Sequence, residues 1–139
     1  EIRKCPEDRF DIAVSNPPFR KPKTGLLSIG EERAIARHEI KLRLPELAYA
    51  ARNLLKSRGR LFLIYHPERL AELSGALREE RIEIKRLRFV HSNSVSEAKM
   101  VLVEAVSGGA TGLKVDRPFY IYDEKGGYSD EMRDVYGKG

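Results

Sequence analysis

The spacing of apolar and polar residues changes several times along this chain, and each change predicts an element. Residues 10–15, FDIAVS, are apolar and β-branched, bounded by Arg/Asp before and Asn-Pro after, which predicts a short buried strand. Prolines at 17, 18 and 22 and glycines at 25 and 30 make 16–30 a loop. EERAIARHEI, 31–40, reads as a helix with Ala34, Ile35 and His38 on one side. Pro45 suits the first turn of the next helix. Leu47, Ala48, Ala51, Leu54 and Leu55 then recur at helical spacing, with Lys56 and Arg58 near the end and Gly59 as the stop.

RLFLIYH, 60–66, is nearly continuous in apolar character, as in a parallel strand covered on both faces. PERLAELSGALREER, 67–81, begins with Pro and lines up Leu70, Leu73 and Leu77 as a helix face. IEIKRLRFVHS, 82–92, alternates from Ile82 to Ile84 and then shifts to Leu87 and Phe89, which predicts a strand with a charged face or a bulge. AKMVLVEAVSGG, 98–109, is another apolar strand; 113–129 reads as a strand or hairpin, and DEMRDVYGKG as a short terminal helix. Strands alternating with helices imply an α/β fold with a parallel sheet, and two final strands without a helix between them imply an antiparallel addition at one edge. No internal repeat, low-complexity tract or inner domain boundary is evident.

Composition narrows the class. The 139 residues, 41% hydrophobic and 34% charged, suit one soluble domain with a core. No apolar run approaches the roughly 20 residues that span a bilayer, so no membrane partner is expected. The start, EIRKCPEDRF, has no apolar core of a signal peptide and no initiator Met, and it reads like the middle of a longer protein. Cys5 is the only cysteine, which excludes an intrachain disulfide and suggests a cytoplasmic setting; no motif around it suggests a nucleophile. The net charge of +5 favours a polyanionic partner or a basic surface patch, although many charge-rich domains are basic and bind no polyanion.

One stretch carries a specific chemistry. Asn16-Pro17-Pro18-Phe19 follows directly on the 10–15 strand. In a parallel α/β sheet, ligands bind beyond the carboxyl ends of the strands. Asn16 supplies a carbonyl acceptor and an amide donor. The two prolines stiffen the turn and present carbonyl oxygens without N–H groups, and Phe19 offers a flat face for stacking. A planar ring with an exocyclic –NH2 matches that set. Its amine donates to the Asn16 side-chain oxygen and to the Pro17 carbonyl, while Phe19 stacks on the ring. Such a site acts by orientation and electrostatics and needs no ionisable base. The bland alternative is an Asn-Pro turn with Phe19 in the core.

FDIAVSNPPF resembles motif IV of the class I, S-adenosylmethionine-dependent amino-methyltransferases. The match is closer to the bacterial tRNA adenine-N6 methyltransferases. It extends to ARHEI (36–40), AARNLLKSRGRLFLIYHPERLAEL (50–73), LRFVHSN (87–93), AKMVLVEAVSGG (98–109) and PFYIYDEKGGYSDEMRDVYG (118–137). The resemblance implies that residues 1–139 are the catalytic, C-terminal part of a class I methyltransferase domain, with the fourth to seventh strands of a Rossmann-like seven-stranded sheet, mostly parallel with an antiparallel last strand. It implies S-adenosylmethionine as methyl donor, RNA (tRNA above all) as acceptor, and catalytic roles for Asn16, Pro17, Pro18 and Phe19, with Asn16 also facing the cofactor. It departs from the family in lacking the first strand and its glycine-rich loop, so the fragment alone is expected to be inactive. SGGATG, 107–112, is the only glycine cluster and reads as a hairpin loop rather than a cofactor loop. The 10–15 strand, left without the neighbour it pairs with in the family, would also expose an edge that invites a homodimer.

Arg20, Lys21 and Lys23 flank the motif and are candidates to hold RNA phosphates beside a flipped base, or else form a solvated loop. Arg33, Arg37, Lys41 and Arg43 extend that basic character. Arg37 joins the RNA-binding candidates, as does His38, which contacts substrate or is simply a structural histidine. Lys85, Arg86 and Arg88 form another basic cluster, with a solvated strand face as the alternative. His66 and His91 lie near strand ends without a third ligand, and no metal site is expected. Protein glutamine-N5 methylation shares the tetrapeptide and is the second enzyme reading; an inactive self-associating module is the third.

Overall fold

The computed structural model describes residues 9–17 and 44–137. Its elements in chain order are strand β1 (Phe10–Ser15), helix α1 (44–54), strand β2 (Leu55–Tyr65), a 3-10 turn (Pro67–Arg69) running into helix α2 (Leu70–Glu79), strands β3 (Ile82–His91) and β4 (Ala98–Ser107), two short strands β5 (Lys114–Val115) and β6 (Phe119–Tyr120), and helix α3 (Asp130–Tyr136). The loop and helix expected over 18–40 lie outside the described residues.

The strands form one mixed sheet in the order β1-β2-β4-β3-β5, with β6 also pairing β3. β1 runs parallel to β2, and β4 runs antiparallel to both β2 and β3, so β1, β2 and β3 share a direction. This is the α/β sheet expected, with one correction. The antiparallel strand is not added at an edge: β4 folds back from β3 and inserts between β3 and β2. The turn at 92–97 is short enough for β4 to return beside β3, and the step from β2 to β3 through α2 leaves a gap one strand wide for it. Apolar β4 residues then bond on both sides, where an edge position would leave half of their backbone groups unpaired.

The right-handed rule for crossovers puts α1 and α2 on the same face, because both connections step in the same direction across the sheet. The core forms there. Leu44, Ala48 and Ala51 of α1, Leu73 and Leu77 of α2, Leu61, Leu63 and Tyr65 of β2, and Val101, Val103 and Ala105 of β4 make one buried cluster. The register sets these strand residues opposite one another: Leu61 pairs Ala105, Leu63 pairs Val103, and Tyr65 pairs Val101. In β3 a register shift between Ile84 and Arg86 restores the phase, so that Leu87 and Phe89 pair Val103 and Val101 on the core face. That shift is the bulge anticipated from the change in alternation.

The opposite face departs from expectation. Phe62 and Ile64 are half-buried there and Val14 is 77% exposed, so among the described residues β2 is covered on one face only. β1, expected to be buried, is an edge strand that pairs only with β2 among the described residues, and Phe10, Ile12 and Val14 are all exposed. Charged side chains form a ladder across this face. Arg60 of β2 meets Glu104 of β4 at 3.5 Å, Glu104 meets Arg86 of β3 at 3.9 Å, and Arg86 donates to Asp116 at 2.6 Å. The basic cluster at 85–88 is therefore largely committed within the fold: Lys85 donates to the Ala110 carbonyl, Arg86 pairs with two acids, and Arg88 pairs Glu131 while stacking over the Phe119 ring at 5.1 Å.

The last segment is neither one strand nor one hairpin. After β4 the chain crosses the end of β3, bonding Gly108 N–H to the Arg81 carbonyl, and reaches β3's other edge as β5 and then β6, both parallel to β3. The glycine cluster is thus a crossing loop, not a hairpin, since its flanking strands β4 and β5 lie on opposite sides of β3. Beyond β6 an isolated bridge joins Tyr122 to Tyr128, and Ser129 caps α3 by accepting from Met132 N–H.

Candidate active site

The parallel strands β1, β2 and β3 end on one edge of the sheet, where Asn16, His66 and the 92–97 turn are gathered. Ser15 pairs with Leu63, so Asn16 leaves β1 alongside the last two residues of β2. Asn16 is exposed and Pro17 half-buried. A groove of about 350 Å³ reaches Asn16 from the open face, with Val14, Phe62, Ile64 and Leu102 among its apolar walls and Arg86 and Glu104 farther along. An apolar groove meeting a carbonyl-and-amide side chain at a strand terminus is a site for a largely flat, partly polar ligand.

Around it the edge is stiff. Tyr65 is buried, and that burial pushes its phenol up while the neighbouring Arg69 guanidinium opposes the shift. His66 caps the 3-10 turn, its ring edge-on to Tyr65 at 6.2 Å. Burial holds the His66 imidazole below the usual histidine value, with Arg69 adding to the effect and Glu68 opposing it. His91 ends β3, its Nδ1 at 2.8 Å from the Ser96 carbonyl oxygen, and its ring lies edge-on to Tyr120. Neither histidine joins a ligand cluster: among the described residues no group of three or more His, Cys, Asp or Glu is placed to hold a metal ion.

Of the candidate residues, the structure describes Asn16 and Pro17 at this edge. Pro18, Phe19, Arg20, Lys21, Lys23, Arg37 and His38 lie outside the described residues, as do Cys5, Arg33, Lys41 and Arg43. The glycine cluster at 107–112 lies at the opposite edge, beside Arg81 and the start of β3, and so stands away from Asn16. Sequence reading passed over two features. One is the charge ladder, whose members Arg60, Glu104, Arg86 and Asp116 share a face only through strand pairing. The other is a stack of three tyrosines. Tyr122 lies against Tyr128 at 5.7 Å and 17°, and Tyr128 against Tyr136 at 5.6 Å and 36°. The available signal was the spacing in YDEKGGY, two aromatic residues flanking a glycine-containing turn.

Comparison with known proteins supplies the class. A crystal structure of a predicted O-methyltransferase from Agrobacterium tumefaciens superposes with a TM-score of 0.68 at 18% identity, covering 94% of this chain and 52% of that one. The chain therefore shares the fold of that protein, and in sequence it is similar to proteins named as tRNA adenine-N6 methyltransferases. The chain is 40% identical over 96 residues to a tRNA1(Val) (adenine(37)-N6)-methyltransferase of Porphyromonas gingivalis, covering 69% of this chain and 37% of that protein. It is 28% identical over 123 residues to the protein of the same name from Dyadobacter fermentans, covering 86% of this chain and 50% of that one. The chain thus spans between about a third and a half of the length of the curated relatives it matches. No protein-family model matches it.

Proposed function

We propose that this chain is the acceptor-holding, catalytic part of an S-adenosylmethionine-dependent adenine-N6 methyltransferase acting on RNA, with tRNA as the substrate and the cytoplasm as its setting. The observation that carries the reading is the place of Asn16-Pro17: directly beyond β1, at the carboxyl edge of the parallel strands, where an α/β sheet holds its ligands. The tRNA enzymes among its relatives and the net charge of +5 support it.

Asn16 and the Pro17 carbonyl accept the two hydrogens of the adenine amine, which aims the nitrogen lone pair away from the ring plane. Pro18 holds the turn and Phe19 stacks on the base. Arg20, Lys21, Lys23, Arg37 and His38 contact the phosphates that flank it. S-adenosylmethionine, when bound, supplies a methyl carbon on a positively charged sulfur. The described residues offer one group that could face it, Asn16, and do not by themselves build its pocket. Catalysis by this chain is positioning, which fits a set, Asn16, Pro17, Pro18 and Phe19, that contains no ionisable base. In the intact protein, Asn16→Ala is expected to lower kcat for tRNA methylation by about 10²-fold, the scale of a lost preorganised contact. Near-normal turnover removes Asn16 from the mechanism.

The outer edge of β1, which pairs with no strand among the described residues, favours a second reading alongside the first, a homodimer of this chain through that edge. Val14→Lys puts a charge on the exposed side of the strand and is expected to leave the chain monomeric in sedimentation where the parent self-associates. A parent that is monomeric at high concentration ends this reading.

A further inference from the structure

Beyond β6, the chain leaves the sheet at the same edge as Asn16. Ile121 N–H bonds the His91 carbonyl and Tyr122 N–H bonds the Ser92 carbonyl, so Tyr122 stands just past the end of β3. The turn that follows is rigid: Asp123 Oδ1 accepts from Lys125 N–H and Gly127 N–H, and Tyr122 bridges to Tyr128. Ser129 then fixes the start of α3 by donating to the Tyr120 carbonyl. This framework stacks Tyr122 on Tyr128 and sets Tyr136 against Tyr128 at a tilt, yet the three remain 40%, 43% and 63% exposed. Exposed rings held in place in this way offer a flat apolar face to a planar partner.

Tyr122, at one end of the group, lines a hollow of about 490 Å³ whose walls include Ser94, Tyr120, Glu124, Lys125, Asp130 and Arg133. The hollow is wide enough to admit a nucleobase, and the Ser94 and Ser129 hydroxyls and the Lys125 ammonium around it are groups that can meet base edges. Some of the local charge is engaged within the fold: Asp123 accepts from the turn, Glu131 pairs Arg88, and the exposed Asp130 pairs Arg133, which leaves Lys125 as the cation of the hollow. The remaining acids, Glu124 and Asp134, argue for contact with a base rather than with its phosphate. β1 and β6 are four strand spacings apart along the sheet, about 19 Å at ~4.8 Å each. That is the reach of about five stacked nucleotides at ~3.4 Å apiece, and of fewer once they unstack.

We infer that the hollow faced by Tyr122 receives a second, unpaired nucleobase of the RNA whose acceptor adenine is held at Asn16. Tyr122 stacks on this base, and Tyr128 and Tyr136 back Tyr122 so that its ring is held in place before the RNA arrives. The inference rests on the RNA reading given above and adds to it a contact that fixes which nucleotide reaches Asn16.

The test is binding of a fluorescein-labelled RNA stem-loop, with adenine among its unpaired loop bases, to the 139-residue chain by anisotropy at low salt. Tyr122→Ala is expected to weaken binding by about 5- to 150-fold, the range of a lost base–aromatic stack. Tyr122→Phe is expected to stay within about twofold, since the stacking face remains. Tyr136→Ala, at the exposed end of α3, is expected to give a smaller loss. The chain has no Trp, so the fluorescence of its tyrosines should also be quenched as RNA binds. If the parent binds RNA and Tyr122→Ala binds it equally well, the stacking site is wrong while the RNA reading survives. If the parent binds no RNA, both fall. Quenching by a lysine-rich peptide and not by RNA assigns the stack to a basic protein and overturns the inference.

Discussion

The two faces of this sheet are made by the same strands and have opposite characters. Along β2, Leu61, Leu63 and Tyr65 are buried, while the alternating Phe62 and Ile64 are only half-buried on the other side. The difference comes from connectivity. α1 and α2 both step the chain in one direction, and handedness then places both on one face. The covered face has leucines of both helices at its centre. The open face has a groove, a row of ion pairs and Asn16 at its rim. Stability is concentrated on the first face and the candidate chemistry on the second, which makes the two separable by substitution.

The largest expected effect lies on the covered face. Leu77→Ala removes a fully buried side chain from the centre of the cluster, where relaxation is limited by α2 above and the sheet below. It should lower the unfolding free energy by about 2–5 kcal/mol in urea titrations. Ile64→Ala, a similar loss of carbon on the open face, should cost clearly less, because the groove is already in contact with water. Equal costs for the two would show that the open face is packed in solution and would break the comparison.

Asn16→Ala comes next and probes the rim. Its expected loss of about 10²-fold in turnover equals roughly 2.7 kcal/mol of transition-state stabilisation. Because Asn16 is exposed, the melting transition should move little. A variant that unfolds instead of losing turnover would place Asn16 in the fold's stability rather than in its chemistry.

Much of this architecture was legible because local pattern and tertiary role agreed. FDIAVS gave β1 to the residue, the leucines at 73 and 77 gave the buried side of α2, and the shift from Ile84 to Leu87 gave the bulge in β3. Three features were not legible. The interior place of β4 depends on which strand its free edge finds, and periodicity does not encode a neighbour. The free edge of β1 was expected from the resemblance, but the exposure of its side chains was hidden, because an apolar β-branched run looks the same at an edge as in the middle of a sheet. The tyrosine stack needed the turn at Asp123 and the capping of α3 to bring three separated rings together. At the candidate site, Asn16 and Pro17 fall at the strand terminus as the motif required, while the roles of Pro18, Phe19 and the basic loop rest on the sequence.

A smaller effect is expected from the ladder on the open face. Glu104 lies between Arg60 and Arg86, and Glu104→Gln leaves both guanidinium groups without that carboxylate. Both arginines are about half exposed, so screening by water reduces the pair energies, and about 0.2–1 kcal/mol is expected. The loss should shrink further at high salt. Arg86 also retains Asp116, whose carboxyl it holds below the usual carboxylate range by a direct hydrogen bond. A cost as large as that of Leu77→Ala would mean that the ladder is shielded from water and the face closed.

The smallest effect concerns His66, at the edge where the two faces meet. Burial lowers its folded-state value below the ordinary one of about 6.5. The unfolded chain therefore takes up the proton more readily than the folded one. The contribution of neutral His66 is intact above the unfolded value and is lost progressively as pH falls from about 6.5 through the lowered folded value. Urea midpoints measured from pH 8 down to pH 5 should decline, and His66→Gln, which cannot titrate, should decline less. The difference is bounded by one proton, and it decides which face His66 belongs with. A slope that His66→Gln removes ties the imidazole to the covered side with its neighbour Tyr65. Identical slopes would make this edge as wet as the open face, and the rigidity ascribed to the floor beside Asn16 would then have to come from Pro17 and the turn beyond it.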